Sequence, residues 1–113
     1  GGAALPFKRK LFASIVKNAV DAAKPFGIPV TVKMRIGIDT DHKTYLEAAD
    51  SAVQAGVTWV ALHARTAEQM YEGKADWTAI ATLKDHLRPS YWQRILEVRN
   101  AHVEIFANIW LGI

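Results

Sequence analysis

The sequence predicts an α/β fold that forms part of a parallel (β/α)8 barrel of the TIM type, with about three βα units. Segments of helical periodicity alternate with segments that alternate residue by residue, and short connections join them. This order is typical of a parallel sheet covered by helices. Hydrophobic residues make up 50% of the 113 residues, which is enough to bury a core. A closed eight-stranded barrel needs roughly 250 residues, so we expect only part of one.

The first helix and the first strand are predicted from their periodicities. Residues 6–24 carry apolar side chains at the i, i+3/i+4 spacing of an amphipathic helix. Pro6 suits the start of this helix, and Gly27 suits its end. Residues 28–35 then alternate between apolar and polar side chains and include β-branched residues, which predicts a strand.

The next two helices and the second strand follow the same logic. A helix is predicted from about residue 44 to residue 55, with Gly56 at its carboxyl end. Residues 57–63 form the second predicted strand, and Asp76 is a suitable N-cap for the third helix. The predicted apolar face of that third helix consists of Trp77, Ile80, Leu83 and Leu87.

The last part of the chain departs from this pattern. We therefore predict two regions, a barrel fragment over 1–87 and an atypical tail over 88–113. Residues 88–91 contain a proline and predict a break, after which 92–101 predicts a short helix. Alternation over 102–107 predicts a third strand.

The carboxyl ends of the two predicted strands hold the candidate site. In a parallel barrel, ligands bind at this end, on the strand faces that point away from the helices. Those faces carry Thr31, Lys33 and Arg35 in the first strand, and Ala61, His63 and Arg65 in and just after the second. We expect Lys33 and His63 at matching heights. With Arg35 and Arg65 they would suit an anionic or electron-rich ligand, such as a phosphate or a flavin ring.

Each of these side chains also has a structural interpretation. A single lysine at a strand end usually extends its ammonium group into water, and a single histidine is more often a hydrogen-bonded structural residue than a ligand. The placement of Lys33 and His63 on one face of adjacent strands favours the functional interpretation. The four histidines lack the spacing of metal ligands, so no metal site is predicted.

Charge and composition exclude several classes of function. The net charge of +3 is mildly basic and permits a polyanionic partner without requiring one. The densest basic cluster, at residues 8–10, is interpreted as a solvated helix start. The absence of cysteine excludes disulfides, thiolate metal sites and a cysteine catalyst within this chain. The absence of cysteine also fits a cytoplasmic protein, which we expect here. No apolar run approaches the roughly 20 residues of a membrane span, so no membrane partner is expected.

Two longer segments resemble one enzyme family. Residues 28–37, IPVTVKMRIG, resemble the P-V-T-V-K-x-R-x-G strand of the tRNA-dihydrouridine synthases. Residues 63–80 are similar to that family's H-G/A-R-T-x-x-Q-x-Y-x-G-x-A-D-W-x-x-I segment. Residues 1–5, GGAAL, are similar to the G-x-G-A-x-L loop that precedes this region. The resemblance extends from Gly1 to about Leu87, with the motifs in the family's order and spacing.

The resemblance implies an FMN-dependent oxidoreductase with an α/β barrel. In that family, NADPH reduces the flavin, a uridine of tRNA is reduced, and a cysteine donates a proton. Lys33 matches the lysine that contacts the flavin ring, and His63 matches the histidine beside the same cofactor. Arg35, Arg65 and Tyr71 match positions near the substrate mouth, where they are expected to contact FMN or tRNA.

The chain also departs from the family pattern. The N-x-G-C-P segment is not present, so no catalytic residue is assigned. After Leu87 the family has I-P-V-x-x-N-G-D, a strand and a flavin-phosphate loop, whereas this chain has RPSYWQR over 88–94. Residues 105–109 resemble the V-F-A-N-G-N-I version of that strand with two residues lost. We therefore expect the chain alone to be inactive and to bind FMN weakly or not at all.

Two alternatives remain open at this point. The chain could belong to another FMN barrel enzyme, such as a dihydroorotate-dehydrogenase-like oxidoreductase, although the H-A-R-T to A-D-W run argues against it. It could also be a non-catalytic basic half-barrel that binds nucleic acid, in which case binding would depend strongly on salt. Any open barrel piece has unpaired strand edges, so we expect self-association or marginal stability.

Overall fold

A computed structural model of the chain describes residues 2–97. The elements in chain order are a 3-10 helix Gly2–Phe7, α1 Arg9–Ala23, a short 3-10 helix Lys24–Phe26, β1 Thr31–Arg35, α2 Tyr45–Ala55, β2 Trp59–His63 and α3 Trp77–Glu97. The predicted alternation of three helices and two strands is confirmed. The strand predicted at 102–107 lies outside the described residues.

The two strands form a parallel sheet, as predicted. Its register pairs Thr31 with Trp59 at one end and Arg35 with His63 at the other. Lys33 pairs with Ala61, so the predicted matching heights of Lys33 and His63 are wrong. The two positions differ by two residues along the strands, or about 6.6 Å. The alternating pattern specifies which face a side chain takes, but it leaves the register between strands undetermined.

One face of the sheet packs against the helices, and the other carries the candidate site. Met34, Val60 and Leu62 are buried on the helix side. Arg35 and His63 are half-buried and Lys33 is exposed on the other side, so the predicted faces are confirmed. The helices complete the core with Phe12, Val16, Ala48, Ala49, Ala52, Val53, Ala79, Leu83 and Leu87. This is a mixed α/β arrangement; residues 2–97 contain two strands of the expected barrel.

The predicted end of the second helix and the predicted N-cap of the third are confirmed, whereas the first helix begins later than predicted. Pro6 lies inside the 3-10 helix, and α1 begins three residues later, at Arg9. The fixed φ of proline suits either helix type, so Pro6 marks a helical turn without specifying an α-helix. Gly56 ends α2, where its backbone N–H is directed at the carbonyls of the last turn. The Asp76 carboxylate accepts hydrogen bonds from the N–H groups of Thr78 and Ala79 at 3.0 and 3.2 Å, as an N-cap does.

The third helix differs from its prediction in two respects. The predicted break at 88–91 is wrong, because α3 continues through Pro89 to Glu97. Proline removes one helix hydrogen bond, and the bonds on either side can hold a kinked helix together. The predicted boundary at residue 87 therefore falls within α3. Trp77 is 53% exposed and lies off the buried face, since Ala79, Leu83 and Leu87 at i, i+4 spacing make the contact with the core.

Candidate functional site

The candidate site lies at the carboxyl ends of β1 and β2. The last pair of the register brings Arg35 and His63 side by side, on the face away from the helices. Two loops, residues 36–44 after β1 and residues 64–76 after β2, surround this end of the sheet. Lys33 lies two register pairs further in, opposite Ala61. The strands thus supply a lysine, an arginine and an imidazole, and the loops determine what surrounds them.

The surroundings of His63 favour its neutral imidazole form. Its Nε2 atom lies 3.3 Å from Nη1 of Arg65. A guanidinium group only donates hydrogen bonds, so Nε2 accepts and the proton is on Nδ1. Burial lowers the pKa of His63 from its ordinary value of 6.5, and this is the largest effect. The positive charges of Arg35, Arg65 and Lys33 lower the same pKa further.

The two arginines hold the loop that follows β2. Arg35 Nη1 donates to the backbone carbonyls of Thr66 at 3.0 Å and Met70 at 2.8 Å. Arg65 Nη2 donates to the carbonyl of Gly73 at 3.0 Å. Both guanidinium groups therefore contribute positive charge to the site while fixing the two ends of one loop segment, residues 66–73.

Tyr71 presents an aromatic ring at the mouth of the site. Tyr71 is 68% exposed. Its ring centroid lies 5.8 Å from that of the His63 ring, with an angle of 34° between the two planes. Arg35 Cζ lies 5.5 Å from the centre of the same ring, a distance at which cation–π attraction acts. The site thus combines cations, a neutral imidazole and an open aromatic face.

A hydrogen-bonded turn at 66–69 had no role in the prediction. The Thr66 N–H donates to Oε1 of Gln69 at 2.9 Å, and the Gln69 N–H donates to Oγ1 of Thr66 at 3.2 Å. This reciprocal pattern is that of a capping box, and the T-x-x-Q spacing is its sequence signature. The turn contacts the loop after β1, because Ala67 N–H donates to the Gly37 carbonyl at 2.9 Å.

The loop after β1 is closed by its own backbone and by Asp39. Gly37 and Lys43 form an antiparallel bridge, and the Ile38 N–H donates to the His42 carbonyl at 3.0 Å. Oδ1 of Asp39 lies 2.7 Å from Nδ1 of His42 and accepts the His42 N–H at 2.8 Å. The hydrogen bond from the His42 side chain is the main cause that lowers the pKa of Asp39. The site is thus bounded on the β1 side by a closed loop.

An open cleft lies at the opposite end of the sheet. A cavity of about 600 Å³ lies at the amino-terminal ends of the strands, with Ile28, Val30 and Thr58 in its walls. Two of its polar groups pair with each other, since Lys17 Nζ donates to Asp21 Oδ2 at 2.6 Å. The predicted cationic, imidazole and aromatic side chains lie at the other end of the sheet, and we take that end as the candidate site.

Over residues 2–97, no three His, Asp or Glu side chains come together in a way that could hold a metal ion. Across the same residues, no helix combines the length and the hydrophobicity that crossing a bilayer requires.

The structure brings the five predicted site residues to one end of the sheet. Arg35, His63, Arg65 and Tyr71 contact one another directly or share one loop. Lys33 acts on His63 through its charge. The functional role of each residue stays a prediction at this point. Together these features define a class: a parallel α/β protein with a cationic and aromatic candidate site at the carboxyl ends of its strands, where α/β enzymes bind their ligands.

Comparison with known proteins gives the family. The family model described as Dihydrouridine synthase (Dus) matches residues 1–95. The chain therefore belongs to the dihydrouridine synthase family, which confirms the resemblance. The family match decides against the alternative of a dihydroorotate-dehydrogenase-like enzyme.

Several curated proteins are similar to this chain over part of their length. A "Probable tRNA-dihydrouridine synthase" of Mycobacterium tuberculosis (strain CDC 1551 / Oshkosh) is 60% identical over 88 residues, which are 78% of this chain and 23% of that protein. The protein of the same name from Mycobacterium leprae (strain TN) is 58% identical over the same shares. That of Treponema pallidum (strain Nichols) is 46% identical over 84 residues, 73% of this chain and 25% of that protein. The chain thus spans about a quarter of the length of the relatives it matches.

Proposed function

We propose that this chain is the flavin-facing part of the barrel of an FMN-dependent tRNA-dihydrouridine synthase. The intact enzyme would use NADPH as reductant and a uridine of tRNA as substrate. One observation carries the proposal: in a chain of this family, Lys33, His63 and two arginines converge at the carboxyl ends of parallel strands. The names of the relatives supply the substrate, tRNA.

The residues at the site fit a flavin ring by their chemistry. When bound, FMN would supply the hydride chemistry. Lys33 would place a positive charge beside an electron-rich ring and offset negative charge that develops there. With its Nε2 atom beside the Arg65 guanidinium group, His63 in its neutral form would present its Nδ1–H as a donor and add no charge of its own. The positive charge of the site would therefore come from Lys33 and the arginines.

Arg35, Arg65 and Tyr71 are proposed to line the mouth through which the tRNA nucleotide enters. The exposed ring of Tyr71 offers a flat surface, and base–aromatic stacking contributes about 1–3 kcal/mol per base. The two arginines hold the loop that carries this ring and add positive charge. Their contacts with loop carbonyls mean that they shape the mouth as well as face it.

This chain supplies no proton-donating thiol, because it contains no cysteine. His63 is not proposed as the proton donor, because burial and the positive charges of Arg35, Arg65 and Lys33 lower its pKa and disfavour its protonated form. Lys33 and His63 are therefore proposed as cofactor-binding residues, and no catalytic residue is assigned. For the same reason we propose that the isolated chain does not reduce tRNA.

A chimera tests the proposal. The matching 88-residue stretch of the M. tuberculosis relative is replaced by the corresponding stretch of this chain. Purified chimera is assayed for bound flavin by absorbance and for dihydrouridine formed in tRNA. We expect a flavin-containing, active chimera, and a large loss of flavin on Lys33→Ala or His63→Ala.

The matched control for the lysine is Lys24→Ala, since Lys24 is exposed and lines the cavity at the other end of the strands. This variant should keep its flavin. A folded chimera whose flavin content is the same with Lys33→Ala as with Lys24→Ala would overturn the proposed role of Lys33. A folded, flavin-loaded chimera that forms no dihydrouridine would overturn the proposed reaction.

A further inference from the structure

We infer that Gln69 is a positioning residue, which acts with Thr66 to hold the ring of Tyr71 against His63 at the mouth of the site. The inference rests on the proposed function for its meaning, since it states how that site is kept in shape. The contacts that support the inference are present without any bound ligand. Gln69 itself would touch neither the cofactor nor the substrate.

The Thr66–Gln69 pair is built to hold its turn rigidly. Thr66 is only 5% exposed, and its N–H and Oγ1 both take their partners from Gln69, at 2.9 and 3.2 Å. Removing the Gln69 side chain would leave the buried Thr66 N–H without its acceptor, which is unfavourable. The same turn is tied to the loop after β1 through Ala67 and Glu68, whose N–H groups donate to the carbonyls of residues 37 and 38, both at 2.9 Å.

Met70 shows that this turn is under backbone constraint. Its φ is 51°, in the left-handed region that side chains other than glycine rarely adopt. The Met70 side chain is 62% exposed, so packing in the core does not hold it there. Contacts on both sides do: the Met70 N–H donates to the Ala67 carbonyl at 3.1 Å, and its carbonyl accepts from Arg35 at 2.8 Å. An unfavourable conformation persists when the surrounding contacts fix it.

The direction of the Tyr71 side chain depends on this turn. The ring is largely exposed and has no core packing to select one rotamer. The ring lies beside His63 and Arg35 because the left-handed conformation of Met70 sets the direction of the backbone at Tyr71. The chain of contacts therefore runs from Gln69 to the Thr66 turn, to Met70, and then to the Tyr71 ring. Loss of the hydrogen bond between Gln69 and Thr66 should therefore free the Tyr71 ring from its position beside His63.

Nuclear magnetic resonance on the complete 113-residue chain without flavin or tRNA tests this inference. The readouts are the cross-relaxation peak between the ring protons of His63 and Tyr71, and the ring-current shift of the His63 protons. Tyr71→Ala gives the reference shift for an absent ring. Gln69→Ala should abolish the peak and move the His63 shift to that reference. Gln69→Glu keeps an acceptor oxygen at the same place and should restore both signals.

Two further variants keep the test decisive. Gln54→Ala removes an exposed glutamine of α2, at the opposite end of the sheet, and should leave both signals unchanged. If Gln69→Ala fails to fold, Thr66→Val removes Oγ1, which accepts from the Gln69 N–H and donates to Gln69 Oε1 at 3.4 Å, while it keeps the shape and the N–H; it should weaken the peak. A folded Gln69→Ala chain with the wild-type peak and shift would overturn the inference, as would a folded Thr66→Val chain with both unchanged. Since no flavin is present, failure here leaves the chimera result untouched.

Discussion

Gly37→Ala should destabilise the chain because no space exists for a side chain at this position. A Cβ built on Gly37 would lie 2.0 Å from the His42 carbonyl oxygen, 2.8 Å from Lys43 Cα and 2.9 Å from the His42 carbonyl carbon. All three atoms belong to the backbone, so no side-chain rotation can relieve the clash. The loop 38–43 would have to move away from β1.

The size of the effect follows from the hydrogen bonds that this movement would break. The Ile38 N–H to His42 carbonyl bond, 3.0 Å, and the Ala67 N–H to Gly37 carbonyl bond, 2.9 Å, both depend on the present position of Gly37. At about 1 kcal/mol each, their loss amounts to about 2 kcal/mol of the free energy of unfolding. For a small domain this is a large fraction of the total stability.

Urea unfolding followed by tryptophan fluorescence and circular dichroism measures this difference. The matched control is Gly2→Ala, because an added Cβ at Gly2 meets no atom within 4 Å. The control should change the free energy of unfolding by less than about 0.5 kcal/mol. If Gly37→Ala unfolds at the same urea concentration as Gly2→Ala, the described packing between the two loops is refuted.

Two further predictions concern pH and association. The pKa of His63 in the folded state is lowered from its ordinary value of 6.5, so His63 favours the folded state above pH 6.5 and this contribution is lost as the pH falls through the folded-state pKa. Urea midpoints from pH 7.5 to 5 should therefore fall more steeply for the wild-type chain than for His63→Gln. Equal slopes for the two chains would contradict this. Within residues 2–97, β1 and β2 pair only with each other, so each has a second edge without a strand partner. Light scattering should show species larger than a monomer that grow with concentration, whereas a monodisperse monomer with cooperative unfolding would contradict this.

The sequence predicted which face of each strand a side chain takes, but it did not predict the register between the two strands. Alternation placed Lys33, Arg35 and His63 on one side because a strand has period two and the helix side must be apolar. It could not give the register, in which Lys33 pairs with Ala61, because the pairing depends on both strands and the connection between them. The helix ends at Gly56 and Asp76 were predictable because local hydrogen bonds determine them.

The contacts of the arginines could not be predicted from local patterns. Arg35 donates to carbonyls 31 and 35 residues further along the chain. Nothing near Arg35 in the sequence indicates those partners, because a backbone carbonyl has no sequence signature. Pro89 gave the opposite error: its local signal predicted a break, and the helix continues through it. The carbonyl partners of Arg35 are set at long range, whereas the helix hydrogen bonds on either side of Pro89 can hold α3 together.

Mapping of weak FMN binding by nuclear magnetic resonance tests the central claim most directly. Millimolar FMN is added to the isolated chain, and the signals of all residues are followed. We expect weak binding, with the largest shifts at Lys33 and His63 and none at Lys17 or Lys24 near the opposite cavity. Binding that shifts residues at that cavity or elsewhere, but neither Lys33 nor His63, would contradict the proposed flavin site. Saturation at one equivalent, with a shifted flavin spectrum, would contradict the expectation that this chain alone binds FMN weakly.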